Sequence, residues 1–303
     1  MLRSIAGFDQ PFKGEIILNG KKLNGFKTYI TPEKRNIGMV FQDISLFPHL
    51  SVEENIQFGM RSWSREKRKK RTQELLELIG MLRFGKKYPH QLSGGQQQRI
   101  ALARAMAPKP SLLLMDEPFS SLDAELREQL AREVRLILKQ ENISALLVTH
   151  DQNEAFAMGD DICVINQGRV QQTDSAYNLY HNPRNRFVAE FIGEGSILSG
   201  VVVSKDTIET DLGKIKGVLP ESLKKMANVE VLIRPENVVL SDMNEIQAVV
   251  KARYFRGSGF LYNLKTIKGH ELFSLIPGKD ELSLDQVVGL RLKIEKLTLF
   301  NPS

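Results

Sequence analysis

Two stretches of this chain place side chains of the right type and spacing for phosphate chemistry. In Leu112-Leu113-Leu114-Met115-Asp116-Glu117-Pro118 an apolar run of strand length ends in two carboxylates. Apolar strands of this kind belong to parallel sheets covered on both faces, and such sheets bind ligands at their carboxyl edge. Asp116 stands where it can hold a magnesium ion, directly or through water. Glu117 can then polarise a water molecule against a phosphate. The second stretch is Leu92-Ser93-Gly94-Gly95-Gln96, followed by Gln97-Gln98-Arg99-Ile100-Ala101-Leu102-Ala103-Arg104-Ala105. Ser93 is a helix N-cap type, and paired glycines leave backbone N–H groups accessible. A helix starting there aims its positive end at an anion. Taken singly, the first stretch is also an ordinary strand end and the second an ordinary Ser-Gly-Gly turn.

The elements needed to position these groups are legible as alternation. Strands are predicted at Glu15–Leu18, closed by the turn Asn19-Gly20, and at Asn36–Phe41. Residues Val52 to Leu82 read as mostly helical. A strand at Leu112–Met115, a helix at Ala124–Lys139, a strand at Ala145–Thr149, a helix at Gln152–Met158 and a strand at Ile162–Asn166 follow. Apolar strands spaced by amphipathic helices imply a parallel sheet with helices on both faces. Beyond about Gly195 the texture changes to short alternating runs: Ser199–Val203, Val229–Arg234, Ala248–Tyr254, Phe260–Leu264 and Leu290–Ile294. That half is predicted to be all-β and barrel-like, with helical stubs at Ala176–Tyr180 and Arg186–Phe191 as the bridge.

The totals restrict the class of protein. A chain of 303 residues with 42% hydrophobic content has room for one large domain and a smaller one. No run of 18 or more apolar residues occurs, so any membrane role goes through a partner. Met1 to Ala6 is too short an apolar start for a secretory signal, and the single cysteine, Cys163, allows no intrachain disulfide. These features predict a cytosolic protein. The net charge of +6 favours an acidic ligand or an anionic surface nearby. The basic run Arg65 to Arg71 opens a helical pattern and reads as a solvated helix face, lacking the interleaved aromatics of a nucleic-acid patch.

Further short runs complete a pattern. Phe41-Gln42, Leu92–Gln96, Leu112–Glu117, Ser121-Leu122-Asp123 and Thr149-His150-Asp151 resemble, in order and spacing, the Q-loop, signature, Walker B, D-loop and switch-histidine motifs of ABC transporter ATPases. Alone, His150 would be an ordinary surface histidine; its place after an apolar strand lifts it. The resemblance implies a P-loop NTPase-like cassette over residues 1–194, with a helical subdomain at about 48–90. A small all-β domain similar to the oligonucleotide-fold (OB-like) regulatory domain of importer ATPases is implied over 195–303, carried by Ile233-Arg234-Pro235-Glu236 and the turn Gly257-Ser258-Gly259.

Carried over position by position, the resemblance makes Gln42 a contact of magnesium and of the attacking water, and the sensor of the permease. It assigns Asp116 to the magnesium site, Glu117 to the general base, and His150 to the γ-phosphate and the base. Ser93 and Gly95, with Gly94 and Gln96 beside them, would grip the γ-phosphate of ATP bound to the other subunit, and Asp123 would help the subunits communicate. The implied cofactors are ATP and Mg2+. The implied partners are a second copy in a head-to-tail homodimer, membrane permease subunits and, indirectly, an extracytoplasmic solute-binding protein, with no nucleic acid. The place is the cytoplasmic face of the plasma (inner) membrane. Ser45 to Ile56 is similar to the start of the importer helical subdomain, where the family docks a permease helix, and an exposed Phe47 would serve there or in the core.

One motif of the family does not occur: no Gly-x-x-x-x-Gly-Lys-Ser/Thr stretch lies anywhere in the 303 residues. Met1 to Phe8 matches the helix that directly follows that loop, which predicts an incomplete cassette whose loop lysine lies just upstream of Met1. A late start codon or truncated clone is the reading preferred over a decayed gene or a subunit kept for another role. The chain alone is then expected to bind ATP very weakly, to hydrolyse none and to aggregate through unpaired strand edges. Phe191-Ile192-Gly193-Glu194-Gly195 and the compact second domain are similar to ferric-iron importer ATPases. Spermidine, sulfate and sugar importers are built alike. Soluble ABC ATPases of DNA repair or translation lack support, since neither tandem cassettes nor coiled-coil insertions are present, and a non-hydrolysing regulatory module is the third alternative.

Overall fold

The structure, a computed structural model, describes residues 1–303 apart from 26, 221–222, 243–245, 279–280, 295 and 303. It divides into two compact units, Met1–Asp160 and Asp161–Ser303.

In the first unit the order is α1 (Leu2–Ala6), β1 (Ile16–Leu18), β2 (Lys21–Gly25), β3 (Thr28–Tyr29), β4 (Ile37–Val40), α2 (Val52–Gln57), α3 (Arg65–Leu78), α4 (Gly94–Met106), β5 (Leu112–Asp116), α5 (Ala124–Gln140), β6 (Ser144–Val148) and α6 (Gln152–Met158). β1, β2 and β3 form an antiparallel meander, and β4, β5 and β6 a parallel sheet with β5 in the middle. The central place of β5 explains its unbroken apolar run: Leu113, Leu114 and Met115 are fully buried, one side chain after the next, because both faces are covered. Leu2 and Ala6 of α1 pack on Leu114, with Ile37 and Met39 beside them. On the opposite face Val40, Leu113 and Met115 join Ile100 and Met106 of α4 and Leu130 and Val134 of α5. β6 pairs with β5 alone among the described residues, and its Leu146, Leu147 and Val148 are half-buried.

Local chemistry starts each of the longer helices. Ser51, Ser64, Ser93, Asp123 and Asp151 are the N-caps of α2 to α6, each accepting a bond from a backbone N–H of the first turn. Gly38 sits where a Cβ would lie 2.7 Å from the Ala105 carbonyl oxygen, so glycine lets α4 lie close on β4. Within the basic run, Arg65, Lys67, Lys69 and Lys70 are exposed as a solvated face requires. Arg71 departs from it: it is buried, pairs with Glu141 and donates to the Met106 carbonyl. Its guanidinium thereby ties α3 to the ends of α4 and α5.

In the second unit β7 (Ile162–Asn166) pairs antiparallel with β8 (Arg169–Asp174), followed by α7 (Ala176–His181) and α8 (Arg186–Ile192). The strand at Ile162–Asn166 was expected in the parallel sheet. Its described partner is instead the polar run after it, reached by the two-residue turn Gln167-Gly168 with φ of 48° and 73°, the left-handed pair that a tight hairpin needs. The rest is β9 (Ser196–Ser204), β10 (Thr207–Thr210), β11 (Gly213–Lys216), β12 (Asn228–Ile233), β13 (Val238–Leu240), β14 (Ile246–Phe255), β15 (Gly259–Thr266), β16 (Glu271–Pro277), β17 (Val287–Leu292) and β18 (Thr298–Phe300). These strands make two five-stranded antiparallel sheets, β11-β10-β9-β12-β18 and β13-β17-β14-β15-β16, around one core with Val231, Ile233, Val250, Tyr262, Leu264 and Leu290 inside. The all-β expectation for this region is met.

Candidate functional site

Parallel strands in register deliver their carboxyl ends side by side. Val40 stands opposite Met115, and Asp116 opposite Val148. The residues just beyond, Gln42, Asp116-Glu117 and His150, therefore converge at one edge although they are remote in sequence.

Glu117 is the centre of that edge. Gln42 Nε2 donates to one carboxylate oxygen at 3.1 Å, and His150 Nδ1 lies 3.2 Å from the other. The Glu117 backbone has a φ of 42°, in the left-handed region that a side chain with a Cβ avoids at a cost of about 1–3 kcal/mol. Three bonds hold it there: its N–H donates to the Val148 carbonyl at 2.9 Å, while the Ser120 N–H and hydroxyl donate to its own carbonyl at 3.2 and 3.0 Å. The kink is what brings the carboxylate under both Gln42 and His150. His150 is largely exposed, its side chain 72% accessible, so the cluster opens to solvent.

Asp116, half-buried at the end of β5, has no hydrogen-bond or ion-pair partner among the described residues. The Asp116 carboxylate and the Gln42 amide oxygen, just past the ends of neighbouring strands, are oxygen donors of the kind Mg2+ takes.

The second predicted group forms a separate corner. The Ser93 hydroxyl accepts from the Gln96 N–H and the Gln96 side chain accepts from the Ser93 N–H, a closed capping box. A Cβ on Gly94 would meet only Leu122 at 3.8 Å, and one on Gly95 only Leu126 at 3.4 Å. Gly94 therefore has room for a side chain, while Gly95 is buried with Leu126 close by. Asp123, whose Oδ1 accepts from the Leu126 N–H at 2.9 Å, caps α5 beside them. Among the described residues no hydrogen bond or ion pair joins this corner to Glu117.

In the segment after Gln42, Phe47 is half-buried, nearer the core reading than the exposed one, its ring 4.2 Å from that of Phe58, with Arg104 over it at 5.4 Å. Buried Asn55 donates to the carbonyls of Phe47, Leu50 and Ser51 and accepts from the Phe47 N–H, and Arg104 donates to Ser45. Sequence reading also missed the groups around His150. Thr149 Oγ1 donates to buried Glu154, and Asp151 is bound by Arg127. The available signal was Asp151 followed by Glu154, a helix-start pattern.

Comparison with known proteins places this geometry. Residues 1–120 match the family described as ABC transporter, and residues 231–300 the one described as TOBE domain. The chain is 40% identical over 264 residues to the spermidine/putrescine import ATP-binding protein PotA of Chromobacterium violaceum, covering 85% of this chain and 72% of that one. It is 42% identical over 273 residues to the protein of the same name from Nitrosospira multiformis, covering 86% and 73%. With the Fe(3+) ions import ATP-binding protein FbpC 2 of Haemophilus influenzae it shares 39% over 249 residues, 81% and 69% of the two chains. A solved ATP-binding cassette, dimeric and bound to ADP and Pi, aligns with a TM-score of 0.49 and 34% identity over 57% of this chain and 78% of that one. At 40% identity to a PotA protein of which it covers 72%, the chain belongs to the ATP-binding subunits of ABC importers.

Proposed function

We propose that Glu117 is the general base of ATP hydrolysis in this subunit, with Gln42 and His150 orienting it. The observation that carries the reading is the convergence of Gln42 and His150, one on each oxygen of the kinked Glu117 carboxylate. Glu117 takes the proton of the attacking water as it closes on the γ-phosphorus. Gln42 positions that water, and His150 holds the base from an exposed position that a phosphate can reach. Asp116 and the Gln42 carbonyl would hold Mg2+, which when bound neutralises charge developing on the phosphate oxygens. Ser93, Gly94, Gly95 and Gln96 supply the helix N-terminus for the γ-phosphate of ATP on a second copy, with Asp123 at the same subunit contact.

In this reading residues 1–194 are the cassette and 195–303 the regulatory domain. The subunit lies on the cytoplasmic face of the membrane, and its permease docks where Asn55 and Arg104 hold the loop after Gln42. The solute is a small cation brought by a binding protein. Two of the three relatives' names support a polyamine, while the third and the run Phe191 to Gly195 support ferric iron.

The test uses the transporter isolated from its own cell through this subunit. Glu117→Gln is expected to lower phosphate release about a hundredfold or more while ATP binding persists; unchanged hydrolysis would sink the assignment. Stimulation by a spermidine-loaded or Fe3+-loaded binding protein separates the two solutes.

A further inference from the structure

Arg127, in the second turn of α5, touches two loops at once. One terminal nitrogen donates to the Leu122 carbonyl at 2.9 Å, in the turn Ser121 to Asp123, and the other to Asp151 Oδ2 at 2.7 Å. Its Nε lies 3.6 Å from Glu154 Oε1, an ion-pair distance. Behind these contacts the neighbours of His150 are fixed on both sides. Asp151 Oδ1 accepts from the N–H groups of Asn153 and Glu154 at 2.8 and 3.1 Å. Buried Glu154 accepts from Thr149 Oγ1 at 2.6 Å, and Thr149 Oγ1 in turn accepts from the Asp151 N–H at 3.0 Å. Among the described residues, the His150 side chain is held through Glu117 and its backbone by this frame.

We propose that Arg127 is a positioning residue that couples the turn Ser121–Asp123 to the His150 loop, so that a shift of one is carried to the other. The inference rests on the proposed role of His150. The guanidinium is a rigid plane whose two terminal nitrogens hold the turn and the His150 loop at once, so the turn cannot move away from Asp151 without rotating or breaking it. Lysine, a single point charge on a flexible stem, cannot bridge the same groups. Without the arginine, Asp151 and Glu154 are left as neighbouring carboxylates with no cation between them, and the loop should open. Movement at the subunit contact beside Asp123 would thus reach the histidine through one side chain.

The experiment reads hydrogen exchange and steady-state hydrolysis together on the transporter isolated with this subunit. Asp123→Ala removes the cap of α5 and loosens the turn. The expected result is faster exchange at amides 149–155 in the Asp123→Ala protein, an increment that disappears in the Arg127→Met background. Arg127→Met and Arg127→Lys should each lower kcat about tenfold or more with KM for ATP within about twofold. Additive exchange changes, or an Asp123→Ala effect confined to residues 120–126, would overturn the coupling. A wild-type assembly that hydrolyses no ATP yet keeps the non-additive exchange supports the coupling and sinks the catalytic reading instead, so the two failures are distinguishable.

Discussion

Arg234 lies flat over Tyr180, its guanidinium carbon 4.2 Å from the ring centroid. One of its nitrogens donates to the carbonyls of Ala189, Gly193 and Glu194 at 3.2, 2.7 and 3.0 Å, and another to the Tyr180 carbonyl at 3.1 Å. A single buried cation from the β-region thus closes the carboxyl end of α8, where helix carbonyls have no partner of their own. Tyr180 completes the clasp through its hydroxyl, 3.0 Å from Glu236. Burial, and then the charge of Glu236, push the phenol well above the ordinary tyrosine range, so it remains a neutral donor. The run Ile233 to Glu236, read in the sequence as a family signature, is therefore the lock between the helical bridge and the sheets.

Arg234→Ala should lower stability by about 3 kcal/mol, since it removes a buried stacking partner and leaves several carbonyls unsatisfied. Tyr180→Phe, which loses only the hydroxyl, should lower it by about 1 kcal/mol. Urea denaturation followed by tryptophan-independent far-UV signal measures both, and equal losses would contradict the clasp.

Gly38→Ala should lower stability by about 2 kcal/mol or more, because its Cβ would lie 2.7 Å from the Ala105 carbonyl oxygen and 2.9 Å from a Leu113 methyl. Gly94→Ala meets only Leu122 at an ordinary contact distance of 3.8 Å and should leave the midpoint unchanged or slightly raised. The same Gly94→Ala should nonetheless depress ATP hydrolysis in the assembled transporter, because the glycine serves the ligand rather than the fold. A stable and fully active Gly94→Ala protein would refute that division.

His150→Ala should reduce phosphate release on the order of a hundredfold or more with little effect on stability, given its exposed ring. The measurement is single-turnover hydrolysis beside a thermal midpoint; a large fall in the midpoint with intact turnover would reverse the assignment.

Asp151 supplies the pH prediction. Burial pushes its carboxyl up, but the bonds from the Glu154 N–H, the Arg127 guanidinium and the Asn153 N–H outweigh it and hold it below the ordinary value of 3.8. A carboxylate depressed in the folded state contributes stability above its unfolded value and loses it as pH falls through the folded one. Asp151→Asn should therefore cost about 1 kcal/mol at neutral pH, a modest figure for a partly solvated pair, and the cost should fade below about pH 4. Glu154 runs the other way: burial raises it above 4.5, so its own contribution declines as pH rises through that raised value. Denaturation midpoints from pH 3 to 7 for wild type and variant test the sign.

Much of the scaffold was legible because it is set by neighbours in the chain. The helix at Gln152–Met158 and the strand at Ile162–Asn166 occur at their expected bounds, and Ser93 caps its helix as its type requires. The strands that escaped, such as Lys21–Gly25, Arg169–Asp174 and Gly213–Lys216, are mostly polar, with one aliphatic residue apiece, so no apolar alternation announces them. Phe47 shows the same limit in reverse: nothing near it in sequence says that Phe58 and Arg104 will cover it.

The sequence by itself determined where the apolar strands and capped helices of the cassette form, and that carboxylates, an amide and an imidazole stand just past the ends of apolar strands. Periodicity and caps act over a few residues, and a strand's length sets which side chain follows its end. Only the tertiary structure decided that Gln42 and His150 share Glu117, that Arg127 joins Leu122 to Asp151, and that β7 turns back on β8. Those outcomes depend on parallel register and on the packing of segments remote in the chain, where one residue's slip would aim each side chain at the opposite face of the sheet.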